Sequence, residues 1–251
     1  MLKAANRKNI LIEGNGRRID ADFYEAADKK APLLIISHGY NGYKTDFETT
    51  AFYMASHGIH VLCHTFCGGS TRDTSGFPTT QMSLFTEKED LGAILDEVQK
   101  WEAVDKENIF LFGASQGGMV SALLAEERSA EIRALLLLYP AFCIVEDWNK
   151  RFPALEEMPI QEELWGMMLG KVFFESIHGL QVEKMLGKYN GPVFIMHGSE
   201  DVVVAKDYGE WAARHYKNAV LEVFEGEGHG FSQDGNRRME AMLLYFIHHC
   251  I

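Results

Sequence analysis

Little in this sequence divides it. Only six prolines are spread over 251 residues. No Pro/Ser-rich stretch, internal repeat, low-complexity tract or block of like charges is present, which argues against linker-joined units, solenoids and a disordered tail. Long apolar runs are missing too. A membrane-spanning helix needs about 20 consecutive apolar residues, whereas the run Ala134 to Leu138 is far shorter. Behind Lys3, Arg7 and Lys8 no apolar segment of the secretory-signal kind follows, so a cytoplasmic location is expected. Cysteine is scarce, at four. Cys63 and Cys67 straddle His64, but the second closely spaced pair of a structural zinc site is lacking, so free thiols in a reducing compartment are expected and no metal. Positive charge is short as well. Lys plus Arg number 24 against 36 for Asp plus Glu, a net charge of −12, which disfavours nucleic acid and anionic membranes as partners.

What is present is an alternation of apolar runs with longer amphipathic segments. Ile10 to Glu13 and Ile19 to Glu25 flank Gly14-Asn15-Gly16 and read as an opening hairpin. Pro32 to Ser37, Ile59 to Cys63, Ile109 to Phe112, Ala134 to Tyr139, Val193 to Met196 and Val220 to Phe224 are apolar throughout, as strands buried on both faces are. Between them, Leu84, Leu91, Ile94, Leu95, Val98 and Trp101 recur at helical spacing. Thr45 to Ser56, Met119 to Glu126, Lys206 to Tyr216 and Arg238 to His248 also read as helices. The expected architecture is α/β: a mostly parallel central sheet of about eight strands with helices on both faces, in a single domain over 1–251. The stretch from Ala141 to about Tyr189 shows no strand pattern and is rich in large apolar groups. An insertion that long between two core strands is read as a small helical cap over about 141–190.

Four short motifs sit where such a sheet would expose chemistry. Ile109 to Phe112 runs into Gly113-Ala114-Ser115-Gln116-Gly117 and then a helix. A sharp strand-to-helix turn leaves no room for bulky neighbours and lifts Ser115 clear of the sheet, at a helix N-terminus that favours developing negative charge. The pentapeptide alone is weak, since chance places one in roughly a tenth of chains this long; its strand-helix context carries the weight. A serine hydroxyl needs a base, and the base an orienting acid. The strand ending at Met196 is followed by His197-Gly198-Ser199-Glu200-Asp201, and the last strand by a loop carrying Gly228-His229-Gly230. The order Ser115, Asp201, His229 therefore assigns nucleophile, acid and base. Glu200 remains an alternative acid, Asp201 could instead cap the following helix, and His197, His248 and His249 are poorer candidates for the base. Backbone donors for an oxyanion are expected at the amide of Gln116 and, from His38-Gly39-Tyr40-Asn41-Gly42, at that of Tyr40. Arg72, in the Gly-rich loop after the strand near His64, either reaches an anionic substrate group or pairs with a surface acid.

Taken in order, these motifs resemble the α/β-hydrolase superfamily over nearly the whole chain, and the short form with a cap of some 50 residues resembles the feruloyl/cinnamoyl esterases and neighbouring small carboxylesterases. The resemblance implies Ser115, Asp201 and His229 as the functional set, with Tyr40 and Gln116 donating amides. In those esterases the cap supplies polar groups, including a tyrosine, to a phenolic hydroxyl; here Asp147 is the available acceptor and Phe173-Phe174 stands in the aromatic cluster. Phe142, Asp147, Trp148, Trp165 and Phe173 are the expected pocket residues. The activity expected is cleavage of a small-molecule ester without a cofactor, with a prolyl-oligopeptidase-like peptidase, a thioesterase and a non-catalytic binding protein as rivals. The oligomeric state stays open, a homodimer among the options.

Overall fold

A computed structural model describes residues 6–27 and 30–251; Lys3 lies outside the described residues. The chain opens with β1 (Asn6–Gly14) and β2 (Arg17–Glu25), paired antiparallel. Their turn is Asn15-Gly16, with φ of 53° and 73°, the left-handed pair that the tight hairpin turn matching strand twist demands. Then follow β3 (Ala31–Ser37), α1 (Glu48–Ser56), β4 (His60–His64), α2 (Leu84–Val98), β5 (Val104–Ala114), α3 (Gln116–Glu127) and β6 (Ala134–Leu138). After β6 come α4 (Ile144–Arg151), β7 (Gln161–Leu164), β8 (Met167–Gly170), α5 (Lys171–Ile177) and α6 (Val182–Met185). The chain closes with β9 (Val193–Gly198), α7 (Asp207–His215), β10 (Ala219–Phe224) and α8 (Gln233–Cys250).

Eight strands form one sheet in the order β1-β2-β4-β3-β5-β6-β9-β10. Pairing is antiparallel from β1 to β4 and parallel from there on. Successive side chains of a strand point to opposite faces, and here both faces are covered. Leu33, Ile35, Leu111, Leu135 and Ile195 pack with Leu91 of α2 and Met119 of α3. Their neighbours Leu34, Ile36, Phe112, Leu136 and Met196 pack with Met54 of α1 and Leu243 of α8. That two-sided burial is why the central stretches of these strands are apolar on both faces. Among the described residues no helix is long and apolar enough to cross a membrane.

Most element boundaries lie within a few residues of the sequence expectation. α8 starts five residues earlier than Arg238, where Ser232 accepts a hydrogen bond from the Gly235 amide, a polar first turn that hydrophobic periodicity does not register. One expectation fails outright. The segment 141–190 was expected to lack strands, yet β7 and β8 form an antiparallel two-stranded sheet. Each has four residues, Gln161-Glu162-Glu163 contribute no apolar alternation, and the turn is Trp165-Gly166, φ 44° and 79°. Tryptophan in a left-handed turn position is not a residue that turn chemistry anticipates.

Candidate functional site

The loops that follow the parallel strands meet at one edge of the sheet. β5 passes directly into α3 at Ser115, whose φ of 53° and ψ of −119° are strained for a residue with a side chain. The strain is imposed by close packing. A Cβ on Gly117 would lie 2.3 Å from the His38 carbonyl oxygen, and one on Gly113 2.2 Å from that of Gly117. Gly118 packs on Pro140. Hydrogen bonds hold the turn on both sides: the Ser115 amide donates to the Leu138 carbonyl (2.9 Å), and the Ser115 carbonyl accepts from Ala141 (3.0 Å).

His229 lies in the loop between β10 and α8, where Gly228 and Gly230 bridge each other and Gly230 has φ of 101°. Its Nδ1 is 2.8 Å from Asp201 Oδ2 and its Nε2 3.0 Å from Ser115 Oγ. A carboxylate only accepts, so Nδ1 carries the proton and Nε2 is free to accept from the serine hydroxyl. The His229 ring rests on Tyr139, centroids 4.5 Å apart. Asp201, in the loop after β9, has a fully buried side chain. Its Oδ1 accepts from the amides of Val203 (2.9 Å) and Val204 (2.8 Å), so it organises its own turn while Oδ2 faces the imidazole. His197 Nε2 lies 3.4 Å from the same Oδ2 and donates to the Val204 carbonyl at 2.9 Å. Burial lowers the pKa of His197, keeping it a neutral donor. Glu200, His248 and His249 are exposed, and none joins this cluster.

Beneath it runs the loop after β3. A Cβ on Gly39 would come within 3.1 Å of Ser115 Cβ, so glycine lets this backbone pass close beneath the serine without displacing it. His38, buried and with its pKa pushed down to about 4 by desolvation, ties the loop from within: Nδ1 donates to the Gly39 carbonyl (2.7 Å) and Nε2 accepts from the Phe66 amide (3.1 Å). Among the described residues no acceptor pairs with the main-chain N–H of Tyr40 or of Gln116, the latter being the first amide of α3. The Tyr40 phenol is turned to another task, donating to the carbonyls of Leu164 (3.0 Å) and Met167 (3.2 Å) across the β7–β8 turn.

Ser115 opens onto two clefts. One, of about 210 Å³, lies under the inserted segment, where Gln116, Asp147, Trp148, Leu169 and Phe173 line it. The other, wider at about 950 Å³, holds His229, Asp46, Gln233, Asn236 and Glu240. Tyr40, Trp165 and Val203 border both. Of the pocket residues expected from sequence, Phe142 is not among those lining either cleft. It is fully buried against Trp211, ring centroids 5.8 Å apart, because it precedes α4 and faces the core rather than the cleft. Arg72 pairs with Asp46 at 3.2 Å and lies over the Tyr43 ring at 4.8 Å, a surface pair rather than a free cation. Sequence reasoning did not find Cys143, Ile144 or Arg151 in the smaller cleft, nor Tyr139 under His229; a left-handed Tyr139 (φ 35°) leaves no mark in sequence. Among the described residues no group of three or more His, Cys, Asp or Glu side chains is placed to hold a metal ion.

A search of curated proteins finds no match to this chain. Solved structures do resemble it. Est1E from Butyrivibrio proteoclasticus is 23% identical, with a TM-score of 0.84 over 99% of each chain. The structure of ferulic acid bound to Est1E gives 24% identity and a TM-score of 0.85, over 95% of this chain and 98% of that one. The α/β hydrolase GrgF from Penicillium sp. sh18 is 15% identical, with a TM-score of 0.78 over 96% and 98%. Identities this low establish the shared fold. The sequence itself, over residues 28–174, matches the family model described as serine aminopeptidase, S33, a span that runs from β3 into the first half of α5 and includes Ser115 with its flanking glycines. With that match and an eight-stranded sheet in the same architecture as these hydrolases, the chain belongs to the S33 serine aminopeptidase family of α/β-hydrolases.

Proposed function

We propose that the protein is a serine hydrolase that cleaves carboxylic esters by two-step acyl transfer, in one α/β-hydrolase domain with segment 141–190 as its cap. One observation carries this reading: a single imidazole touches both the Ser115 hydroxyl and the buried Asp201 carboxylate, at 3.0 and 2.8 Å. His229 takes the serine proton as Oγ attacks the carbonyl carbon, Asp201 holds the imidazole tautomer and stabilises its cation, and the amides of Gln116 and Tyr40 receive the oxyanion. His229 then protonates the departing alcohol, and water, activated by the same imidazole, releases the acid.

The two clefts give the substrate its direction. His229 lines only the wide cleft and Gln116 only the small one. The group that His229 protonates on departure is the alcohol, so the alcohol belongs in the wide, polar-lined cleft and the acyl group under the cap. An apolar cavity of ~150 Å³ accepts a benzene ring. The 210 Å³ cleft therefore suits one ring with a short tail, or a short aliphatic acyl chain, in keeping with the ferulic acid held by Est1E. The family model's description favours a second reading, hydrolysis of aminoacyl amides. A panel of p-nitrophenyl esters, methyl ferulate and aminoacyl p-nitroanilides, run on wild type and Ser115→Ala, separates the two. Esters are expected to exceed anilides in kcat/KM, and Ser115→Ala to lose about a millionfold in kcat. Retention of more than roughly a thousandth of the rate by Ser115→Ala removes the nucleophile assignment.

A further inference from the structure

The proposed chemistry leaves one buried acid unused. Glu87, in the first turns of α2, is 1% exposed, and its Oε2 accepts from the Gln116 side-chain amide at 2.8 Å. Among the described residues no cation offsets it: the only charged neighbour acting on it is Asp90, another acid, which is itself paired with Arg17 at 2.9 Å. Carboxyl groups are rarely buried without a cation, and this one sits at the end of a tether to the residue directly after the nucleophile. Its surroundings are closed. A Cβ on Gly69 would fall 2.6 Å from Glu87 Oε1, and Gln116, 3% exposed, has Met82 Sδ at 3.9 Å from the same amide nitrogen.

From this geometry we infer that Glu87 is a positioning residue for the oxyanion site, fixing Gln116 through its side chain so that the Gln116 main-chain N–H keeps its aim beside Ser115. The inference rests on the acyl-transfer reading above. Gln116 is the first residue of α3, where no preceding helical turn restrains it; its side chain is the remaining handle, and Glu87 holds it from α2. The same tether keeps the Gln116 side chain as a wall of the acyl cleft. Burial pushes the Glu87 carboxyl up to about 8, so near neutral pH it presents little of the negative charge that would repel an oxyanion.

Three variants test this: Glu87→Gln, Glu87→Leu and Gln116→Leu, each titrated with a fluorophosphonate so that kcat refers to reactive Ser115. Glu87→Gln preserves an acceptor in the same place and should keep kcat within about threefold. Glu87→Leu should lose about 10- to 100-fold in kcat with little change in KM, part of the 10²- to 10³-fold that removal of a whole donor costs. Gln116→Leu should lose a similar factor, and the double Leu variant should be no worse than either alone, since one acts through the other. Equal kcat in wild type and Glu87→Leu, or a double variant whose losses multiply, overturns the role. If Glu87→Leu does not fold, Gln116→Leu decides alone, wild-type kcat counting against. Failure of wild-type protein to take up the fluorophosphonate at Ser115 would instead count against the acyl-transfer reading.

Discussion

The two sides of Ser115 are built by different means. On one side, the loops carrying Ser115, Asp201 and His229 hang from β5, β9 and β10 of the parallel sheet, and directional bonds fix each: two amides on Asp201 Oδ1, one imidazole on Oδ2, and main-chain bonds to Leu138 and Ala141 on Ser115. On the other side, rings packed on rings hold the cap. Trp148 stacks on Phe152 and meets Phe174, with centroids at 5.8 and 4.8 Å, and the β7–β8 hairpin is hung on the Tyr40 hydroxyl and on Thr79 Oγ1, which donates to the Met168 carbonyl. Ring packing has preferred angles but wide tolerance; a bonded imidazole has little. Narrow geometry is thus held at the strand ends, and looser shape by aromatic side chains; under the proposed function the first would serve chemistry and the second substrate choice.

The sharpest way to break that division is Asp201→Asn. The one oxygen of asparagine stays with the Val203 and Val204 amides, so its Nδ2 faces the imidazole as a donor and favours the wrong tautomer; kcat should fall about 10⁴-fold while the fold is retained. Ester kinetics with a circular-dichroism melt check both halves; a loss under tenfold would show that the strand-end side does not carry the chemistry. A smaller effect is expected from the cap. Phe173, buried and lining the smaller cleft, changed to alanine should cost about 3–5 kcal/mol in stability. It should also shift kcat/KM toward bulkier acyl groups by about 10-fold or more, the scale on which apolar pockets discriminate. Measured on p-nitrophenyl acetate and benzoate, an unchanged ratio would mean that the cap does not set acyl preference.

The same division decides what the sequence reveals. Strand-end chemistry leaves marks, because a turn that places a side chain among close backbones must surround it with glycine, as Gly113 and Gly117 do, and because a left-handed backbone such as that of Gly230, φ 101°, favours glycine as well. The centre of the sheet is equally legible, β3, β6 and β9 being apolar almost throughout because both faces are covered. The cap is not. Four-residue strands give no alternation to read, and helix periodicity says that a residue such as Phe142 is apolar without saying whether it faces a cleft or Trp211. Glu87 is an intermediate case. With Leu84, Asp90, Leu91 and Ile94 it occupies the buried face of α2, so an acid set in an apolar stripe was visible as a signal, while its partner Gln116 on another helix was not.

The last test separates the two sides by pH. His38 ties the loop under Ser115, and desolvation holds its pKa at about 4 in the folded protein, against 6.5 ordinarily; His64, also buried, is lowered too, by desolvation first. The unfolded chain therefore binds protons that the folded one refuses, so stability is full above about pH 6.5 and is lost as pH falls toward 4. For His38 alone that loss is on the order of 3 kcal/mol. Glu87 acts in the opposite sense. Its raised pKa stabilises the folded state below the usual carboxylate range, and that contribution fades as pH climbs to about 8. Thermal melts from pH 4 to 9 should then peak near about pH 6.5, where the two histidines outweigh Glu87 below and only the Glu87 loss continues above. His38→Asn, whose amide nitrogen can replace the Nδ1 donor to Gly39 without titrating, should flatten the acid limb in part, His64 supplying the remainder. An acid limb unchanged in His38→Asn would place the acid sensitivity elsewhere than under the strand-end loops.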